Sequence, residues 1–229
     1  MELKKTKKIS TMQIIAVGFV VIILIGTFLL SLPVASRNGI RIPFIDALFT
    51  ATSSLCVTGL VVYDTYTQFT LFGQLVILTL IQIGGLGFMS MATMISLLIG
   101  KKIGLKERGL LMETMNTNQI GGVVKLLRKI IVITFSIEIV SAAILSIRFI
   151  PLLGTAKGIY YGIFHSISAF CNAGFDLMGI FEARSSLITF NTDVLVNIVV
   201  MSLIVIGGLG FIVWDDLMKN KFKFSKYRL

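Results

Sequence analysis

The sequence predicts an all-α integral membrane protein made of two tandem units, each a helix, a re-entrant loop and a second helix. Three observations carry that prediction: an apolar composition, four long uncharged stretches, and an internal repeat. Of 229 residues, 55% are apolar and only 14% are charged, whereas an ordinary soluble domain is about 25% charged. Mean hydropathy is +0.94. The net charge of +10 would point to nucleic acid in a soluble protein, but the bases sit in blocks beside apolar stretches. Lys4, Lys5, Lys7 and Lys8 open the chain, a second block runs from Lys101 to Lys129, and a third follows Asp216. No aromatic residues interleave with them as a base-stacking surface requires, so these blocks read as membrane flanks and nucleic acid is not expected as a partner.

The elements follow in order. The stretch from Ile9 to Ser36 is uncharged, too long for a cleaved signal peptide, and reads as a retained span over Met12 to Leu32. Phe69 to Ile99, Leu127 to Ile147 and Val194 to Trp214 are likewise long enough to cross about 30 Å of hydrocarbon at about 20 residues each. Between these spans lie Ala47 to Tyr63 and Gly158 to Phe175, which are shorter and broken by Ser, Thr and Gly. Charge decides how they run. If both dip in and return, sixteen of the 21 basic residues lie on one side of the bilayer, as the positive-inside rule requires; if both cross, the two sides carry nearly equal numbers. The re-entrant reading puts both termini in the cytoplasm and contact with a lipid bilayer around the whole chain.

The repeat is written in two strings. F-T-A-T-S-S-L-C-V-T-G-L spans Phe49 to Leu60, and F-H-S-I-S-A-F-C-N-A-G-F spans Phe164 to Phe175, with Phe, Ser, Cys and Gly matching 115 residues apart. I-G-G-L-G-F recurs at Ile83 to Phe88 and Ile206 to Phe211, 123 residues apart. Two strings in the same order mark a duplication. The expected units are residues 1–100, a basic linker over 101–126, a second unit over 127–218 and a basic tail over 219–229.

Non-helical backbone at membrane depth must be buried in protein or line a watery path. In the first loop, Pro43 and Asp46 favour a short helix over Phe44 to Leu55, whose negative end aims at the turn that follows. A cation is the natural guest of such a turn. Gly59 and Gly174 permit backbone angles that let successive carbonyls face one axis, and neither turn carries an acidic side chain. Cys56 and Cys171, just before the turns, are expected to pack as small apolar residues behind them. With a single His165 they provide neither metal-ligand spacing nor a nucleophile pair.

Q-I-G-G-L-G-F-M, C-V-T-G-L, G-K-K-I-G-L-K-E-R and H-S-I-S-A-F-C-N-A-G-F-D-L together resemble the Trk/Ktr/HKT superfamily of potassium transporters, most nearly the membrane subunit of the Ktr system. The resemblance covers essentially the whole chain and implies a fold like that of potassium channels, with four such units around one pathway, of which this sequence matches the first two. By that likeness Val57, Thr58 and Gly59, with Asn172, Ala173 and Gly174, would present filter carbonyls to K+ in a bacterial plasma membrane. It further implies closure of the pathway by the missing units or by a second copy, and a cytoplasmic ring of nucleotide-binding regulatory subunits. Na+ is a candidate coupling ion, and no covalently bound cofactor is implied. The basic end at Arg228 and Leu229 reads as a linker leading to a third span.

The remaining residues read blandly. The I-G-G-L-G-F strings lack the strand and acid of a dinucleotide fingerprint and point instead to close helix packing or a bend. Gln82 is expected to hydrogen-bond across helices. Glu138 is the one carboxylate at mid-membrane; a bond to a neighbouring helix or a basic residue fits it better than an ion relay. His165 is expected to be packed and satisfied. No enzyme is implied, since these two groups lack catalytic partners. The rival reading is a non-conducting membrane scaffold or inactive fragment whose glycines serve packing alone.

Overall fold

Among the described residues, long helices are separated by shorter ones. The computed structural model describes residues 11–87, 90, 93, 103–114, 122–210 and 213–214. Helix α1 spans Thr11–Leu30 and leads through a 3-10 turn at Pro33–Ala35 into the short helix α2, Phe44–Leu55. A loop and the four-residue α3, Thr65–Gln68, precede α4, Leu71–Leu86. Helix α5, Leu105–Thr114, is followed by the 31-residue α6, Val123–Leu153. The chain reverses at Gly154 into the short helix α7, Thr155–Phe170. Two 3-10 turns, Met178–Ile180 and Ser186–Phe190, lead to α8, Val194–Gly208. Among the described residues the ordered elements are helical, as expected of this composition.

Helix α2 begins directly after Pro43 and has Asp46 in its first turn, the proline fixing the entry angle and the acid meeting the positive end. Its hydroxyls would be costly at membrane depth without partners. Two of them find partners within the helix: Thr50 Oγ1 donates to the Asp46 carbonyl at 2.8 Å and Ser54 Oγ to that of Thr50 at 2.7 Å. The same i−4 pattern hides Thr27 in α1 and Ser31 just past its end, which is how a polar side chain is carried in an apolar helix.

Helices α1 and α6 are long and apolar enough to cross a membrane among the described residues, with mean hydropathies of 2.7 and 2.4. Helices α4 and α8 are apolar but shorter. The expected second span, Phe69 to Ile99, is helical to Leu86 and breaks at Gly87, whose φ is +81°; most of its remainder lies outside the described residues, as do Lys4 to Lys8, Lys101, Lys102 and the tail from 215 onward. The fourth span breaks in the same place, with Gly210 also at φ +81°. Outward faces of α1, α6 and α8 carry Val20, Leu24, Phe28, Val132, Ile139, Ile147, Ile198 and Met201, apolar where a water-soluble helix would be charged.

The main core joins both halves through Leu55, Ile77, Ile81, Phe149, Tyr161, Phe164 and Phe175. Helix α7 lies closest on α6, because a Cβ at Gly162 would stand 2.5 Å from the Ala142 carbonyl and glycine alone permits that approach. A second cluster of Leu110, Leu111, Val123, Leu127 and Ile130 fastens α5 to the start of α6. The segment expected as a basic linker therefore contains a packed helix, anchored by two leucines that the charge pattern conceals.

Candidate functional site

The site is built from the two turns that follow α2 and α7. In the first, Cys56 N–H donates to the Thr52 carbonyl at 2.8 Å, Val57 N–H to Ser54 at 3.3 Å and Thr58 N–H to Ser53 at 3.0 Å. In the second, the same bonds run from Cys171 to Ile167 at 2.9 Å, from Asn172 to Ala169 at 3.1 Å and from Ala173 to Ser168 at 2.8 Å. The helix ends thus consume the N–H groups of the turns. Two hydroxyls fix the far sides: Ser53 Oγ donates to the Leu60 carbonyl at 2.7 Å and Ser168 Oγ to the Phe175 carbonyl at 2.6 Å.

The dihedral angles match as closely. Val57 and Asn172 stand at φ +56° and +59°, and Gly59 and Gly174 at +75° and +73°, while Thr58 and Ala173 between them are not left-handed. Alternating hand turns N–H groups to one side and carbonyls to the other. Among the described residues no hydrogen bond ends on the carbonyls of Val57, Thr58, Gly59, Asn172, Ala173 or Gly174. The turns also meet, since a Cβ on Gly59 would lie 2.7 Å from the Ala173 oxygen and 3.5 Å from the Gly174 Cα. All six residues singled out in the sequence therefore lie in the two adjoining turns, and their oxygens hold no protein partner among the described residues; Ala173 is itself fully buried, its oxygen lying against Gly59. Beside the second turn lies a cleft of about 250 Å³ bordered by Asn172, Gly174, Asp176, Ser186 and Val200.

The glycine pairs of the I-G-G-L-G-F strings hold the turns from behind. A Cβ on Gly84 would lie 1.9 Å from the Leu55 oxygen, and one on Gly207 1.8 Å from the Phe170 oxygen, so each second helix presses its bare backbone on the end of its own short helix. The strings point to close packing or a bend, and both close packing and a helix break occur there. Cys171 is buried against Gly85. Cys56 is exposed, correcting the expectation that both cysteines pack behind their turns; among the described residues no glycine backbone closes over it as Gly85 does over Cys171.

Glu138 and Gln82 find each other across α6 and α4. Gln82 Nε2 lies 3.0 and 3.3 Å from the two carboxylate oxygens, and both side chains are buried. His165 is satisfied on both ring nitrogens, with Nδ1 2.8 Å from the Tyr161 carbonyl and Nε2 accepting from Leu177 N–H at 3.2 Å. Neither group reaches the six open carbonyls. No cluster of three or more His, Cys, Asp or Glu side chains able to hold a metal exists among the described residues. Sequence reasoning missed the hydroxyl anchors Ser53 and Ser168. Their only signal is that both lie on matching positions of the two strings.

Comparison with known proteins places the chain among cation transport proteins. The chain is 48% identical to Ktr system potassium uptake protein B of Bacillus subtilis, over 95% of this chain and 47% of that protein. It is 46% identical to potassium/sodium uptake protein NtpJ of Enterococcus hirae, over 95% and 47% respectively. Ktr system potassium uptake protein D of Bacillus subtilis is 39% identical over 98% of this chain and 49% of its own. The chain spans about half the length of the curated relatives it matches. Residues 4–228 match the family model TrkH, described as cation transport protein, and the chain belongs to that family.

Proposed function

We propose that the chain forms half of the wall of a potassium uptake pathway in a bacterial plasma membrane. The observation that carries this reading is the pair of touching turns whose carbonyls have no protein partner. Unpaired carbonyls at membrane depth are tolerated only where something else satisfies them, and a partly dehydrated monovalent cation is satisfied by just such oxygens. Val57, Thr58, Gly59, Asn172, Ala173 and Gly174 supply the coordinating carbonyls. The two short helices re-enter the membrane from the outer side and the units over 1–100 and 127–218 are repeats of one plan, with both termini cytoplasmic.

Two turns cover only part of a ring. The pathway is closed by two further units of the same kind or by a second copy, in keeping with relatives about twice as long. The names of those relatives, potassium uptake and potassium/sodium uptake, support K+ as the transported ion and Na+ as the candidate coupling ion. A cytoplasmic ring of nucleotide-binding subunits is the expected regulator, docking on the basic face of which α5 is part. Helix packing by the Gly84 and Gly207 pairs positions the turns and takes no part in binding.

The test replaces Gly59 and Gly174 by Val in the assembled transporter and measures uptake of K+ against Na+ in cells lacking other K+ uptake. Both replacements are expected to lower the preference for K+, because a β-branched residue cannot hold φ near +75° without strain. Unchanged uptake and preference in both would leave only the scaffold reading.

A further inference from the structure

The two halves are joined a second time just outside the turns, and the junction centres on one carboxylate. Asp64 lies four residues beyond Leu60, whose carbonyl Ser53 holds. Its Oδ1 accepts from Thr67 N–H at 2.8 Å and so caps α3. Its Oδ2 accepts from the backbone N–H of Arg184, 120 residues away, at 3.0 Å. The Arg184 guanidinium returns the link by donating to the Val62 carbonyl at 3.2 Å. Arg184 stands at φ +62°, a left-handed backbone that a non-glycine residue keeps only when its surroundings hold it.

Gly179 makes room for this junction. A Cβ there would lie 2.1 Å from Asp64 Oδ1 and 2.5 Å from Oδ2, so any other residue would drive the carboxylate away. Its neighbourhood leads straight back to the second turn: Leu177 N–H is held by His165 of the second short helix, and the Phe175 carbonyl by Ser168. On the other side, Tyr66 of α3 meets the Tyr161 ring of α7 edge to face, with centroids 6.3 Å apart. The junction residues follow the turns closely in sequence, Asp64 five residues after Gly59 and Arg184 ten after Gly174, and none of their bonds belongs to the set that the two turns have in common.

We propose that Asp64, seated over Gly179 and bonded to Arg184, is an outer clasp that sets the separation of the two carbonyl-bearing turns and so tunes which monovalent cation they favour. This rests on the reading of the turns as a cation filter. Discrimination between K+ and Na+ depends on the size of the oxygen cage or on the field its dipoles make, and a change in the spacing of the turns alters both. Asp64 is a positioning residue here; it does not touch the ion.

Four variants of the assembled transporter test the clasp, with the K+ to Na+ uptake ratio as the readout and membrane abundance as the control. Asp64→Asn keeps an oxygen for the Thr67 cap but places an NH2 group against the Arg184 N–H, so it severs the link between halves and spares the helix. Asp64→Ala removes both bonds, Gly179→Ala displaces the carboxylate, and Arg184→Met loses the bond to Val62 from an exposed position. The first three are expected to lower the ratio about three- to tenfold, the scale of a lost hydrogen bond, and Arg184→Met to lower it less. Gly179→Ala is expected to add nothing in the Asp64→Ala background, where the three atoms it would strike are gone.

A normal ratio in Asp64→Asn would reduce the residue to a helix cap and overturn the clasp, as would additive losses in the double variant. Should Asp64→Ala or Gly179→Ala fail to accumulate, normal ratios in both Asp64→Asn and Arg184→Met overturn it equally. Gly59→Val separates the two ideas. If it loses the preference while Asp64→Asn keeps it, the clasp alone fails; if it too keeps the preference, the filter reading falls and the clasp with it.

Discussion

The turn after α2 and the turn after α7 share their dihedral angles, their N–H bonds and their serine anchors, yet what stands around them differs. Behind the first, Asp46 accepts the Tyr63 hydroxyl proton at 2.5 Å and Cys56 is exposed. Behind the second, His165 takes the Leu177 N–H and Cys171 is buried. The shared part is what presents carbonyls; the divergent part only props it. A backbone arrangement can therefore be held by unlike side chains, provided the N–H groups are consumed and a hydroxyl closes the loop.

The largest effect tests the sameness. Gly84→Ala and Gly207→Ala would each drive a Cβ to within 2 Å of a backbone oxygen, which no rotamer change relieves. Each is expected to cost about 3 kcal/mol or more, read as a collapse of the melting temperature in detergent. A mild result in one alone would break the equivalence of the two halves.

Next come the turn glycines, where the comparison predicts inequality. Alanine at φ near +75° costs about 1–2 kcal/mol at either position. Gly59→Ala adds an overlap with the Ala173 oxygen, whereas a Cβ on Gly174 meets only the Gly59 Cα at 3.5 Å. Gly59→Ala should melt lower, and equal melting would mean that the turns do not touch.

The serine anchors should differ by less. Phe175 is buried at 2% exposure and Leu60 lies open at 62%, so Ser168→Ala strands a carbonyl that Ser53→Ala leaves to solvent. The expected losses are about 1–3 and about 0.5 kcal/mol, measurable by chemical denaturation of the two variants side by side.

Smallest is a pH effect at the caps of the second helices. Thr70 Oγ1 caps α4 through Gly73 N–H and does not titrate. Asp193 caps α8, and the Val196 N–H, followed by the Arg148 side chain, holds its carboxyl below the usual value. A lowered folded value means that the cap contributes fully above the ordinary aspartate range near 3.9 and is lost as pH falls through the folded value. Hydrogen exchange of the α8 amides should rise in that acid window while α4 stays protected. Asp193→Asn should remove the difference.

Much of this was legible in residues read one at a time. Pro43 and Asp46 place the start of α2 where it is found, and the I-G-G-L-G-F strings, read as close packing or a bend, mark where close packing and a helix end are both found. Gln82 and Glu138 each called for a partner in another helix, although nothing in the sequence paired them with each other. Other features depend on distant contacts. Val57 is β-branched, and no local rule expects it at positive φ; it is held there because the helix end captures its N–H. Ser53 and Ser168 look like ordinary helix hydroxyls until the chain has turned back over them. The anchoring role of Leu110 and Leu111 shows only once α6 lies alongside.

The approach of Gly59 to Gly174 has a geometric corollary. If the two turns are neighbouring staves of the proposed wall, their contact leaves no slot for an acyl chain or stray water at that point of the seam. In the proposed pathway the ion would run along the inner surface of the staves, with the remaining curvature supplied from the opposite flank.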